Sequence, residues 1–198
     1  PVLSNGCCGW VNTYPDRQGN EWISGWGNGL LKISGSELTR YDETNSVMNQ
    51  VGAGFVLAYG IDEDNNGDLW VLNGLVDNAI VNFTQQVTYN QPVGGRFAFF
   101  TQLVIDNYNT KWMLLHPVEG NVRGVMFFNE NTNPTGNLIS YQLLGSDVSQ
   151  VNDIVTDNNG EVWVATNNGV IVIPNPEQVI NQPGLIPTLF KMRLIENG

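Results

Sequence analysis

The chain has 198 residues, with eight Lys and Arg against nineteen Asp and Glu and a formal net charge of −11. The few basic residues are scattered, so a phosphate backbone or an anionic membrane would be repelled overall, and nucleic acid is not an expected partner. Charged residues make up only 14%, and 27 Asn with Gly, Thr, Ser and Gln fill the polar share, which suits turns better than salt-bridged helices.

At the N-terminus, Pro1-Val2-Leu3 lacks the charged and apolar regions of a signal peptide, so an export signal is expected outside this sequence. Cys7 and Cys8 are adjacent, and neighbours on a strand point to opposite faces. Two packed, reduced thiols are expected there rather than a strained vicinal disulfide. No apolar run approaches the roughly 20 residues that span a bilayer, so no transmembrane segment is expected. Nor is there a long amphipathic helix. Apolar residues alternate over short runs, as at Val162–Val164 and Ile171–Ile173, and stop at Gly, Asn or Pro, which makes the class all-β.

In chain order, one motif recurs four times: Asp16-Arg-Gln-Gly19-Asn-Glu-Trp22, Asp64-Asn-Asn-Gly67-Asp-Leu-Trp70, Asp106-Asn-Tyr-Asn109-Thr-Lys-Trp112 and Asp157-Asn-Asn-Gly160-Glu-Val-Trp163. Asp and Trp are always six apart, with Gly or Asn three after the Asp. That middle position needs positive φ in a tight hairpin, which Gly takes without strain and Asn tolerates next best. Each motif therefore reads as a turn between an apolar strand, such as Phe97–Ile105 or Val151–Val155, and a strand carrying an inward Trp. Third strands follow at Leu30–Ile33, Ala79–Phe83, Val125–Phe128 and Val170–Ile173. Fourth strands follow at Glu37–Tyr41, Gln86–Tyr89, Asn137–Leu143 and Thr188–Leu194. The Trp spacings of 48, 42 and 51 match a four-stranded propeller blade. Residues 1–198 thus form one β-propeller unit of four four-stranded antiparallel blades, about 7–45, 52–91, 96–145 and 150–196. It is expected to be part of a larger propeller whose remainder lies outside this chain, because an unpaired edge invites a cover. The segment Asn129–Gly136 reads as an elongated loop between third and fourth strands.

The stretch from Val151 to Val170 resembles the two-component-regulator propeller repeat family, whose pattern is an apolar strand, Asp-x-x-Gly-x-ϕ-Trp-ϕ-Gly-Thr and then a Gly-ϕ pair. Ala165 replaces the Gly before Thr166. The third copy departs further, with Asn109 for Gly and His116-Pro117-Val118-Glu119 where a small-residue turn is expected. The segments Trp22–Lys32 and Gly169–Val179 are similar to the PorZ-like propeller proteins of Bacteroidetes type IX secretion. That resemblance implies an exported, non-catalytic scaffold at the outer-membrane surface or in the periplasm. Its partners would be other secretion-complex proteins or a surface glycan such as lipopolysaccharide. The alternative it implies is the periplasmic glycan-sensing region of a hybrid two-component regulator.

Asp62-Glu-Asp64-Asn-Asn66-Gly67-Asp68 mimics the start of an EF-hand loop, but its twelfth position is Asn73 rather than Glu, and a plain hairpin explains it. His116 is the only histidine and has no Cys nearby, so neither a zinc set nor a Cys-His pair assembles around it, and no Gly-x-Ser-x-Gly elbow occurs. Glu119, Glu130 and Asp147 could pair for glycosidase or lyase work, yet solvated surface is the default. Asn82-Phe-Thr84 fits a glycosylation pattern by coincidence. No cofactor, metal or catalytic residue is expected, and a propeller lyase or lactonase remains the enzymatic alternative. The repeated Asp and Trp are expected to build the blades. Ligand contacts are expected on the opposite face, in the links between second and third strands: Trp26, Asn28, Asn73, Asp77, His116, Glu119, Asn167 and Asn168. Amides with aromatics suit a sugar or a peptide.

Overall fold

The computed structural model describes residues 9–90, 99–116, 124–140, 144, 148–181 and 190–192; Cys7, Cys8, Glu119 and Asp147 lie outside them. The first blade comprises β1 (Gly9–Pro15), β2 (Glu21–Gly27), β3 (Gly29–Ser34) and β4 (Glu37–Tyr41), and the second β5 (Val56–Glu63), β6 (Leu69–Asn73), β7 (Ile80–Asn82) and β8 (Val87–Tyr89). The third holds β9 (Phe99–Ile105), β10 (Lys111–His116), β11 (Gly124–Asn129) and β12 (Asn133–Ser140). The fourth holds β13 (Val151–Thr156), β14 (Val162–Thr166), β15 (Gly169–Ile173) and β16 (Phe190–Met192). Pairing within each blade is antiparallel and sequential, the order of a propeller blade. β1, β5, β9 and β13 are the innermost strands, each beside the next. One pairing was not legible beforehand: Trp26 and Gly27 of β2 bridge to Leu57 and Val56 of β5, joining the first two blades into one sheet. Gly27 and Gly29, at φ of 83° and 70°, turn the chain sharply at this crossing.

All four Asp turns have the same internal bonding. The Asp N–H donates to the carbonyl of the residue four on, and the residue three on donates back to the Asp carbonyl, at 2.9–3.1 Å. That third residue carries positive φ in every copy: Gly19 84°, Gly67 83°, Asn109 60° and Gly160 82°. Asp Oδ1 accepts the N–H groups two and four residues on, in Asp106 from Tyr108 at 2.8 Å and Thr110 at 2.9 Å. In three copies Oδ2 accepts the indole N–H: Trp22 to Asp16 at 2.8 Å, Trp70 to Asp64 at 3.0 Å and Trp112 to Asp106 at 2.8 Å. The six-residue spacing is thus the distance at which the turn's carboxylate reaches the Trp of the outgoing strand. In the fourth copy, Trp163 Nε1 is buried and makes no hydrogen bond of acceptable geometry, though it lies near enough to Asp157 to help hold that carboxyl down.

Neighbouring blades meet face to face through the Trp. Trp22 stacks edge-on to Phe83 at 5.5 Å in a core shared with Leu30, Val56, Ala58, Leu69 and Val71. Trp70 joins Leu57, Tyr59 and Leu72 against Phe100, Met113, Met126 and Phe128. Trp112, Leu114 and Phe127 pack on Ile154, Val162, Val164 and Ile171. Burying this apolar surface at about 25 cal/mol per Å² is the main force holding blade to blade. Polar ties between the turns reinforce it. The Arg17 N–H donates to Glu63 Oε2 at 2.9 Å and its guanidinium to the Asp64 carbonyl at 2.8 Å, and Asn65 binds Asn107 O and Asn109 Oδ1, each at 2.9 Å.

One expectation needs correction. Asn129–Gly136 is not an elongated loop: Asn129 pairs with Asn133 across a tight turn, and β12 starts at Asn133. The Asn129 side chain makes this turn by accepting the N–H groups of Asn131 and Thr132, each at 3.0 Å. After Ile173 the chain forms a short helix, α1 (Pro176–Asn181), started by Pro at its first position and seated by buried Val179 and Ile180.

Candidate functional site

Antiparallel pairing puts the links between second and third strands at the end of each blade opposite the Asp turns, on the edge where the chain enters from the preceding blade. The structure distributes the expected residues over three situations. Asn73 and Asn167 are clamps. Asn73 is fully buried; its Oδ1 accepts the Asn49 N–H at 2.6 Å, and its Nδ2 donates to the carbonyls of Leu57 at 2.9 Å and Asn49 at 3.1 Å. Asn167 Oδ1 accepts the N–H groups of Ser149 and Gln150 at 2.9 and 3.0 Å. In both blades an amide at the end of the second strand grips the incoming linker, so Asn73 is placed to hold the chain rather than to meet a ligand. Asn168 supports the same link through its N–H, 3.1 Å from Thr166 Oγ1, which itself donates to the Gly169 carbonyl at 2.8 Å.

Trp26, Asn28 and Asp77 are different. Trp26 is 41% exposed and meets Phe55 and Tyr59 edge to face, at 6.3 and 6.0 Å. Burial pushes the Tyr59 hydroxyl above its ordinary range. Asn28 is buried beside this crossing; its carbonyl accepts Arg40 Nε at 2.9 Å, and its Nδ2 has no partner among the described residues. Asp77 is exposed and, with Asn78, Leu75 and the linker residues Asn49, Gln50 and Val51, lines a shallow polar depression of about 260 Å³. Leu75 stands there at φ 58°, a region that costs a Leu strain. His116 ends β10 opposite Phe99. Glu119 lies outside the described residues.

Phe55, Gln50 and Leu75 were missed by the sequence reading. Phe55 and Gln50 sit in a linker without periodicity, and Asn73-Gly74 signals a turn without showing that the positive φ falls on the Leu.

The acidic residues of the calcium-like segment point to separate partners. Asp62 accepts the Ile105 N–H at 2.7 Å, Glu63 holds Arg17, Asp64 holds Trp70, and Asp68 accepts Asn82 and Gln85, each at 3.0 Å. Burial raises the Asp62 carboxyl above the ordinary range, against the opposing pull of the Glu63 and Ile105 N–H groups. Among the described residues no three His, Cys, Asp or Glu side chains are gathered around one point.

The family model for the two component regulator propeller matches residues 145–168, the fourth Asp turn and its flanking strands. The chain carries a two-component-regulator propeller repeat. PorZ, a bacterial surface component of the type-IX secretion system of Porphyromonas gingivalis, superposes at TM-score 0.69 and 19% identity over 93% of this chain and 28% of its own. The extracellular domain of a hybrid two component system protein from B. thetaiotaomicron gives 0.66 and 20% over 94% of this chain and 24% of that one. Virginiamycin B lyase from Staphylococcus aureus gives 0.62 at 14% identity, over 98% and 58%. At these identities the likeness shows the propeller fold. The chain spans about a quarter of the first two proteins. No curated protein sequence matches it. No helix of the described residues is long and apolar enough to cross a membrane.

Proposed function

We propose that the chain is a non-catalytic binding and assembly module, a propeller segment acting in type IX secretion and cargo attachment at the outer-membrane surface. The observation that carries the reading is the division of labour between the two faces. On one, each repeated Asp is saturated by its own turn. On the other, the links differ from blade to blade, and a half-exposed Trp26 stands over the crossing into the second blade. The likeness to PorZ over 93% of the chain supports this reading. Other secretion-complex proteins, or the lipopolysaccharide to which cargo is joined, are the partners such a face would meet. The test is deletion of the gene in its host. Cargo should be lost from the cell surface and regained with the intact gene but not with one carrying Trp26→Asp together with Asp77→Lys. Normal cargo display in the deletion strain would rule the reading out.

A second reading, a glycan-sensing extracellular segment, is favoured by the amide-lined depression beside Leu75 and by the likeness to the two component system domain. Calorimetric titration with a panel of host and bacterial oligosaccharides tests it, and saturable heat abolished by Asp77→Ala would select it.

A further inference from the structure

Two of the seams between blades are built on the same three rings. Between the first and second blades, Trp22, Tyr41 and Phe83 stand with ring centroids 5.0–5.9 Å apart. Between the second and third, Trp70, Tyr89 and Phe128 stand 5.1–6.5 Å apart. The positions correspond. Each cage takes the motif Trp and the Tyr closing the fourth strand from one blade, and from the next the Phe lying across from the residue before its own Trp, which is Leu69 or Lys111.

The second cage is filled by a cation of the chain itself. The fully buried Lys111 ammonium sits 3.7 Å from the Trp70 ring centroid, where the ring's negative face attracts it, and pairs with Glu130. In the first cage Leu69 brings no charge, and a cleft of about 330 Å³ opens onto Trp22, Tyr41 and Phe83. Half-buried Lys32, across from Trp22 on β3, reaches over the Trp22 ring only loosely, at 5.2 Å. The walls of this cleft are acidic. Asp16 lines it, and so does Glu63, which is buried; among the described residues the Glu63 carboxylate accepts one hydrogen bond, from the Arg17 N–H at 2.9 Å, and forms no ion pair. A carboxylate buried on those terms lacks a counter-charge.

We infer that this cleft receives an ammonium group from outside, the side chain of a lysine on a basic partner protein. The ammonium enters the three-ring cage as Lys111 does in the next seam, with Glu63 as its counter-charge in the role Glu130 plays there, and Lys32 swings out to admit it. A chain of net charge −11 draws such a partner. An anionic ligand is the poorer fit, because it would meet two carboxylates for the one ammonium of Lys32. The cleft lies on the side of the Asp turns, so the inference holds whichever ligand the opposite face binds.

The test uses the whole chain labelled with 5-fluorotryptophan, the Trp22 resonance being assigned from Trp22→Phe. Butylammonium chloride, a lysine side chain without its backbone, should move that resonance saturably, sodium chloride at equal ionic strength should not, and hexalysine should displace butylammonium at lower concentration. Lys32→Ala removes the ammonium already over the ring and should tighten butylammonium binding about 2–5-fold. Leu69→Lys, which imitates Lys111, should abolish the response while unfolding stays cooperative. Glu63→Gln, which keeps the shape of the side chain and so guards against a Leu69 variant that does not fold, should weaken binding about 2–5-fold. Four results would overturn the inference: no saturable movement of the Trp22 resonance, movement by butyrate in place of butylammonium, weaker binding in Lys32→Ala, or hexalysine that fails to displace butylammonium.

Discussion

Replacing Asp106 by Ala removes the acceptor of three hydrogen bonds without adding bulk. The Tyr108 N–H lies on the exposed rim and can turn to water, but Thr110 and Trp112 are fully buried, so their donors are stranded. A stranded buried donor costs about 1–3 kcal/mol. Two of them give about 2–6 kcal/mol, and removing a carboxyl whose own burial is unfavourable, as its raised pKa shows, brings the expected loss to about 3 kcal/mol. In a chain of this size that lowers the melting midpoint by about 6–12 °C. Urea unfolding followed by tryptophan fluorescence measures it, with Asp157→Ala as comparison. Asp157 sits in the exposed fourth turn and lacks a well-formed indole bond, so its replacement should cost clearly less. A loss below about 1 kcal/mol for Asp106→Ala, or equal losses at the two sites, would refute the view that the carboxylate–indole pair holds the blade.

Gly60→Ala should destabilise by about 1–3 kcal/mol or more, since its Cβ would fall 2.5 Å from the Leu103 backbone nitrogen where β5 and β9 pack; thermal unfolding by circular dichroism reports it. Lys111→Met leaves the partly solvated Glu130 without its buried partner and should cost about 1–3 kcal/mol, while Lys111→Met with Glu130→Gln should recover much of it in a double-mutant cycle. The Thr44 hydroxyl bond holds the Asp42 carboxyl below its ordinary value, helped by the Thr44 N–H and Arg40 against a burial effect. A depressed carboxyl stabilises the fold above its unfolded pKa, and that contribution is lost as pH falls from about 4 through the folded value. Asp42→Asn should therefore flatten the decline of the urea midpoint between pH 5 and about pH 3. Asp106, raised by burial, has the opposite sign: protonation favours its folded form, so Asp106→Asn should make the acid decline steeper.

Local chemistry written within seven residues was sufficient for the blades. Asp reaching its own Trp, with Gly or Asn at positive φ between them, needs no information from elsewhere in the chain, and so the four turns, their strands and the all-β propeller class were legible in the repeat. The Asn129 turn was misread because an Asn-rich run looks like a loop until the side chain is seen accepting the N–H groups of Asn131 and Thr132. The opposite face was legible only as a location. Asn73 and Asp77 are both polar residues of one link, and nothing local distinguishes the first, buried and bonded to a linker 24 residues earlier, from the second, open to solvent. Only the tertiary structure decides that difference, because it depends on where a non-periodic linker returns in space. The same holds for Trp163. Its motif equals the other three, and whether its ring is buried depends on the sheet laid against it, which the motif itself does not contain.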